Sequence, residues 1–142
     1  DRFRASFCSQ FFYPSSNGTV LAPKAGRAMS KFGYAIGPKR AADKKILRGI
    51  VLSMLPHSGV VPGLRSYLQK YQHVGEYIMP KWYNNDEWEE KRLWSLTRTD
   101  ETEDMIVSIY GMSSEALDQW ALTDRDAFTE WCLLRETPEF VN

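Results

Sequence analysis

The tetrapeptide Ser15-Ser16-Asn17-Gly18 lies between two apolar runs, Phe7 to Tyr13 and Thr19 to Leu21, and restricts the fold more than any other stretch of the 142 residues. Asn-Gly favours the positive-φ geometry of a tight turn, so the two runs are expected to pair as an antiparallel hairpin. Phe7, Phe11 and Tyr13 share one parity, while Cys8 and Phe12 share the other. The first strand is therefore apolar on both faces and reads as a buried one. Pro23 ends the hairpin, because it cannot donate to a ladder. Lys24 to Tyr34 then has helical spacing, with Ala25, Ala28, Met29 and Phe32 on a core-facing side and Gly33 and Gly37-Pro38 at its end.

The remaining chain reads as helices. From Arg40 to Leu55, apolar residues at Ala42, Ile46, Leu47, Ile50, Val51, Met54 and Leu55 leave Arg40, Lys44, Lys45 and Arg48 on a basic arc. Pro56-His57-Ser58-Gly59 stops that helix. Another follows Pro62 through Leu64, Tyr67, Leu68 and Tyr71, with Arg65 and Lys70 expected to point outward. Tyr77 to Asn85 reads as an aromatic loop, and Asp86 as the N-cap of a helix from Glu87 to Leu96. Helices are expected over Glu101 to Tyr110, over Ser113 to Trp120 after Gly111, and from an Asp124 or Thr123 cap through Trp131 and Leu134, closed by Pro138. The fold class is α+β, mostly α: an N-terminal β-hairpin over residues 1–23 and a helical bundle over residues 24–142.

A formal net charge of zero hides a strong polarity. Residues 1–71 carry 12 Lys and Arg against Asp1 and Asp43, a net of +10, whereas residues 72–142 carry six against 16 acids, a net of −10. A basic half attracts phosphate backbones or acidic partners, unless the two halves neutralise one another in the fold. No apolar run approaches the roughly 20 residues of a membrane helix, and no signal-peptide pattern opens the chain. An intracellular compartment is expected, and secretion is not. Cys8 and Cys132 are far apart and have no nearby Cys or His pair, so both are expected to be reduced and no zinc site is indicated. The chain opens at Asp1 without an initiator Met, which suggests a piece of a longer protein.

The order Phe7-Cys8-Ser9, aromatic run, Pro14, polar turn with Gly18, short strand, then Pro23-Lys24-Ala25-Gly26-Arg27 and Lys31-Phe32-Gly33 resembles the C-terminal part of positive-strand viral RNA-dependent RNA polymerases. It is similar to motif E, the hairpin at the palm–thumb junction, with the thumb after it. Met105 to Glu115, including Tyr110-Gly111 and Ser113, is similar to a helix, Tyr-Gly, Ser and acidic-helix passage of such thumbs. The resemblance covers most of the chain, and residues 7–33 carry nearly all its specificity. It implies that Phe7, Cys8, Ser9 and Gln10 support the 3′ end of the growing strand or the priming nucleotide. It also implies that Lys24, Arg27 and Lys31 meet phosphates of the template–product RNA duplex, and Arg40 and Lys44 extend that basic surface. Implied partners are the RNA duplex, nucleoside triphosphates bound through the palm, and the palm and fingers on the same or another chain. The implied location is a replication complex in the host cytoplasm or the virion interior.

Such a polymerase transfers nucleotidyl groups with a pair of Mg²⁺ or Mn²⁺ ions about 4 Å apart, held by two or three acidic side chains. No Gly-Asp-Asp turn and no Asp-x4-Asp strand segment occurs in this chain, and Asp118, Asp124 and Asp126 fall in helix and cap contexts. Glu101, Glu103 and Asp104 are explained as a helix N-terminus. The chain alone is therefore expected to bind no metal and to be inactive. His57 and His73 lack a nucleophile at a useful spacing. Gly26, Gly33 and Gly37 do not form a phosphate loop. Of the tryptophans and tyrosines, Trp88, Trp94, Trp120 and Trp131 have core-like helical spacing, and only Trp82 and Tyr83 remain open for base stacking.

A second reading is a free-standing helical RNA-binding or assembly module with no catalytic role. The hairpin face of Phe7, Phe11 and Tyr13 separates the two. A polymerase fragment is expected to leave that face for other protein to cover, whereas a free-standing module must cover it itself.

Overall fold

A computed structural model of the protein describes residues 6–7, 9–35, 51, 54–71 and 96–137. The α+β, mostly α class holds. A sheet of three antiparallel strands, β1 (Ser6–Phe7), β2 (Gln10–Ser15) and β3 (Gly18–Pro23) in the order β1-β2-β3, leads into α1 (Ala25–Ala35). A 3-10 turn (Leu55–Ser58), α2 (Leu64–Leu68) with a 3-10 extension (Gln69–Tyr71), α3 (Asp100–Tyr110), α4 (Ser114–Thr123) and α5 (Arg125–Glu136) complete the described elements. The expected helix of residues 87–96, its Asp86 cap, the aromatic loop and most of the helix of residues 40–55 lie outside the described residues. So do Trp82, Tyr83, Trp88 and Trp94.

The hairpin forms at the expected turn, with Ser15 opposite Gly18 and Gly18 at φ 89°. Ser15 Oγ donates to Gly18 O at 2.6 Å and accepts from Asn17 N–H, closing the turn with side-chain as well as backbone bonds. A second turn, absent from the sequence reading, separates β1 from β2. Phe7 pairs with Gln10, and Ser9 takes a positive φ of 65°. What reads in sequence as one apolar strand is thus folded back on itself. Pro14 stands in β2 opposite Thr19 of β3.

Alternation along β2 buries Phe11, Tyr13 and Ser15 and leaves Phe12 exposed. Phe11 and Tyr13 meet edge to face, with centroids 6.1 Å apart and planes at 77°. They share one cluster with Ala25, Ala28, Met29 and Phe32 of α1, Leu64 and Leu68 of α2, Met105, Ile106 and Ile109 of α3, Leu117 of α4, and Phe128 and Cys132 of α5. The core-facing residues expected on α1 are all buried.

Helix ends follow local chemistry. Thr99 and Thr102 cap α3 reciprocally: Thr102 N–H donates to Thr99 Oγ1, and Thr99 N–H to Thr102 Oγ1. Thr102 Oγ1 also donates to Pro14 O at 2.6 Å, which fastens the helix start to β2. Ser113 caps α4 and Asp124 caps α5. No helix among the described residues is long and apolar enough to cross a membrane.

A polar clamp joins α2 to α4. Asp118 accepts from Gly63 N–H at 2.6 Å and pairs in bidentate fashion with Arg98, whose guanidinium also donates to Val61 O. Arg65, expected to point outward, is instead half-buried and donates to the carbonyls of Leu55, Pro56 and Leu96. The carbonyls of Leu55 and Pro56 in the 3-10 turn and that of Leu96 converge on it, and a guanidinium has donors enough for all three. Burial, and then neighbouring Arg98, lowers the Arg65 pKa.

Gly63 sits at φ 78°, and a Cβ there would lie 2.5 Å from the Phe128 ring and 2.9 Å from Ala121 Cβ. Gly63→Ala is expected to cost about 3 kcal/mol or more, combining left-handed strain with overpacking. Gly111, at φ 74° with open space around it, provides the control. Gly111→Ala should cost about 1 kcal/mol. Urea denaturation of both variants checks the contrast, and equal losses would contradict this account of Gly63.

Candidate nucleic-acid interface

Helix α1 begins inside the protein, where its first N–H groups cannot reach water. Ala25 N–H donates to the Tyr110 hydroxyl at 3.4 Å, Gly26 N–H to Glu136 Oε2 at 2.8 Å and Arg27 N–H to Glu136 Oε1 at 3.2 Å. Tyr110 in turn donates to Glu136 Oε2 at 2.6 Å. A carboxylate from the last turn of α5 therefore caps a helix 110 residues away in sequence, at the end where the helix dipole favours negative charge. Gly26 makes the approach possible, because a Cβ there would come within 2.6 Å of Leu133 N. Tyr13 donates to Pro23 O at 2.8 Å, so β2, the end of β3, α1, α3 and α5 meet at this point.

Burial pushes the Glu136 pKa up, against the opposing pull of Tyr110, the two backbone N–H groups and Lys24. Burial also raises the pKa of Tyr110, with Tyr13 and Glu136 adding to the effect, so Tyr110 remains a phenol donor. Cys132 is buried beside the same carboxylate, and burial and then Glu136 hold its thiol protonated. Cys132 is a free thiol, and Cys8 lies outside the described residues.

Beside this network a cleft of about 230 Å³ opens to solvent, lined by Ser9, Lys24, Arg27, Leu133, Glu136 and Thr137. Three of the residues expected to bind RNA, Ser9, Lys24 and Arg27, are thus gathered at one place. Lys24 Nζ stands 4.8 Å from the centroid of the Phe11 ring, a cation–π contact that holds its ammonium group. Lys24, Arg27 and Lys31 fall at positions i, i+3 and i+7, so they form a row along α1, with Arg27 and Lys31 exposed. Gln10 is half-buried at the start of β2. Phe7 is placed by its pairing with Gln10, and its side chain lies outside the described residues, as do Cys8, Arg40 and Lys44.

The face that separates the two readings has an answer in part. Phe11 and Tyr13 are 1% and 0% exposed, covered by this chain's own helices, whereas Phe12 on the opposite face is 45% exposed. Glu136 and Thr137 are absent from the sequence-derived site. Glu136 reads there only as one of 16 acids in the second half, and nothing local marks a partner so distant. Among the described residues, no group of three or more His, Cys, Asp or Glu is arranged to hold a metal ion. Asp118 is paired with Arg98, Asp124 caps α5, and Glu103 accepts from Ser114 N–H at 2.9 Å. Trp120 and Trp131 are half-buried, and Trp131 Nε1 donates to Tyr110 O at 3.0 Å.

Glu136→Ala is expected to cost about 3 kcal/mol, since it leaves several buried donors unpaired. The pH dependence has a definite sign. A carboxyl whose folded pKa is raised binds protons more readily in the folded state, so its contribution to stability falls as pH rises from the ordinary carboxylate value towards the raised one. The stability lead of the wild type over Glu136→Gln should therefore shrink as pH is raised from about 4. Glu103, whose pKa is lowered first by Ser114, should act in the opposite sense and more weakly because it is largely solvent-screened. Urea midpoints across a pH series measure both, and a lead that grows with pH would contradict the assignment for Glu136.

No family model, curated protein or solved structure matches this chain.

Proposed function

We propose that this chain is the junction hairpin and thumb of a viral RNA-dependent RNA polymerase, gripping the template–product duplex and the priming 3′ end while catalytic carboxylates elsewhere transfer the nucleotide. The observation that carries the reading is the meeting of Ser9, Lys24 and Arg27 at one cleft, continued by Lys31 along the exposed side of α1. Lys and Arg in such a row neutralise consecutive phosphates without reading sequence, which suits a protein that must move along any template. The tight turn at Ser9 brings backbone close to the cleft, where a ribose or phosphate is within reach. Phe12, uncovered on the other face of β2, is the side chain that meets the palm in this reading.

A second reading, a free-standing RNA-binding module, is favoured by one observation: the chain buries Phe11 and Tyr13 unaided. Primer extension with Mg²⁺ and the four nucleoside triphosphates separates the two. Extension is expected only when the chain is combined with a palm–fingers portion. RNA binding without extension in either sample would support the module instead. Phe12→Ser should leave folding and RNA binding of the isolated chain within about 0.5 kcal/mol, as for other surface changes, while weakening the reconstituted activity.

The duplex contact has its own check. Replacing both Arg27 and Lys31 by Ala should flatten the salt dependence of RNA affinity by about two counterions and reduce elongation, with little change in the urea midpoint. Unaltered RNA affinity would remove α1 from the interface.

A further inference from the structure

The cleft beside α1 has an unusual mixture of charges for a phosphate site, because its buried end is a carboxylate. Glu136 Oε2 already receives Gly26 N–H and the Tyr110 hydroxyl, whereas Oε1 receives only Arg27 N–H, at 3.2 Å. Each carboxylate oxygen offers about two acceptor sites, so one site on Oε1 is unused among the described residues. A phosphate at this end would meet like charge. A cation would meet Lys24 and Arg27, which line the same cleft. The group that suits both neighbours is a neutral hydrogen-bond donor covalently attached to an anion. Ser9 and Thr137 line the cleft with hydroxyls, and Thr137 Oγ1 spends its own proton on Leu133 O at 2.7 Å, leaving its oxygen as an acceptor.

We propose that this cleft reads the ribose 2′-hydroxyl of the bound strand: Oε1 of Glu136 accepts from it while Lys24 and Arg27 hold the adjacent phosphate. The inference rests on the RNA-gripping reading and sharpens it from backbone binding to discrimination of RNA from DNA, for which the 2′-hydroxyl is the distinguishing group. Glu136 thus has two roles that share one geometry. Its inner lone pairs hold α1 in place, and its outer one faces the ligand.

The test uses the intact chain and labelled duplexes of one sequence whose product strand is all-ribose, all-2′-fluoro or all-2′-deoxy, read by fluorescence anisotropy at fixed salt. The 2′-fluoro strand keeps the ribose-like helix shape but cannot donate. The all-ribose duplex should bind about tenfold more tightly than both others, the order expected for a hydrogen bond to a charged acceptor. A duplex with 2′-fluoro only at the 3′-terminal residue distinguishes a terminal from an internal ribose, and a loss in either position upholds the proposal. In Glu136→Gln, whose amide oxygen is an uncharged and weaker acceptor, the ratio should fall severalfold, and an unchanged ratio would overturn the contact. Should that variant fail to fold, an all-2′-O-methyl product strand, which also keeps the ribose-like helix and cannot donate, should bind the wild type no more tightly than the 2′-fluoro strand, and binding as tight as all-ribose would overturn the contact. Arg27→Ala should weaken all duplexes alike and leave the ratio unchanged.

Equal binding of ribose and 2′-fluoro strands would overturn the hydroxyl contact and leave the RNA-gripping reading standing. Failure to bind any duplex would overturn both.

Discussion

A helix that starts in a protein interior needs acceptors for its first N–H groups, and in this fold they come from a single carboxylate at the far end of the chain. Glu136 serves Gly26 and Arg27 directly and holds Tyr110, whose hydroxyl serves Ala25. An orphaned buried N–H costs about 1–3 kcal/mol, so removing this one side chain threatens α1 as a unit. The consequences spread outward. Placing Glu136 requires α5 to run close against α1, which requires a residue without a Cβ at Gly26. Placing Tyr110 requires α3 to run along the sheet, its start tied to Pro14 through Thr102 and its end beside Tyr13, which is itself tied to Pro23. Sheet, α1, α3 and α5 therefore take their mutual positions from one polar centre inside an otherwise apolar core.

The charge polarity along the chain has a structural counterpart. Four acids of the second half serve backbone N–H groups: Glu136 on α1, Asp118 on Gly63, Asp124 on the start of α5, and Glu103 on Ser114. Asp118 meets Arg98, a cation of its own half of the chain. Among the described cations of the first half, two situations occur. Arg65 is drawn inward to carbonyls, whereas Arg27 and Lys31 stay on the outer side of α1. Among the described residues, backbone N–H groups thus take up part of the acidic charge, while Arg27 and Lys31 of α1 face solvent.

What was legible in the sequence was local. Asn17-Gly18 announced its turn, Ser113 and Asp124 announced their helices, and the spacing of Ala25, Ala28, Met29 and Phe32 announced the buried side of α1. Each of these signals is complete within about eight residues. The turn at Ser9 was not legible, because Cys8-Ser9 carries none of the Gly, Asn or Pro that usually mark one, and the apolar run continues through it. Arg65 misled for a related reason. A cation on a short helix reads as solvated, and only the folded 3-10 turn supplies the carbonyls that bring it inside. Of the site, Ser9, Lys24 and Arg27 were named from the sequence and come together at the cleft, while Glu136 and Thr137, which arrive from the other end of the chain, were not.

The same long-range closure bears on why the cleft is a good place for a ligand. A row of cations on an isolated helix binds polyanions with little geometric demand, since long side chains on a solvated surface adapt to many poses. Here the base of the row is fixed. Lys24 is held against the Phe11 ring, and the Arg27 backbone is bound to Glu136. Ser9 is set by a positive-φ turn whose carbonyl accepts from Lys24 N–H at 3.4 Å. Ligand-facing groups that the fold has already immobilised lose little further entropy on binding, which is the physical basis of preorganisation. In the proposed reading, a fixed hydrogen-bond acceptor that lines the same cleft as two cations discriminates by chemistry as well as by charge. The buried carboxylate that secures α1 is also what makes this cleft more than a generic basic patch.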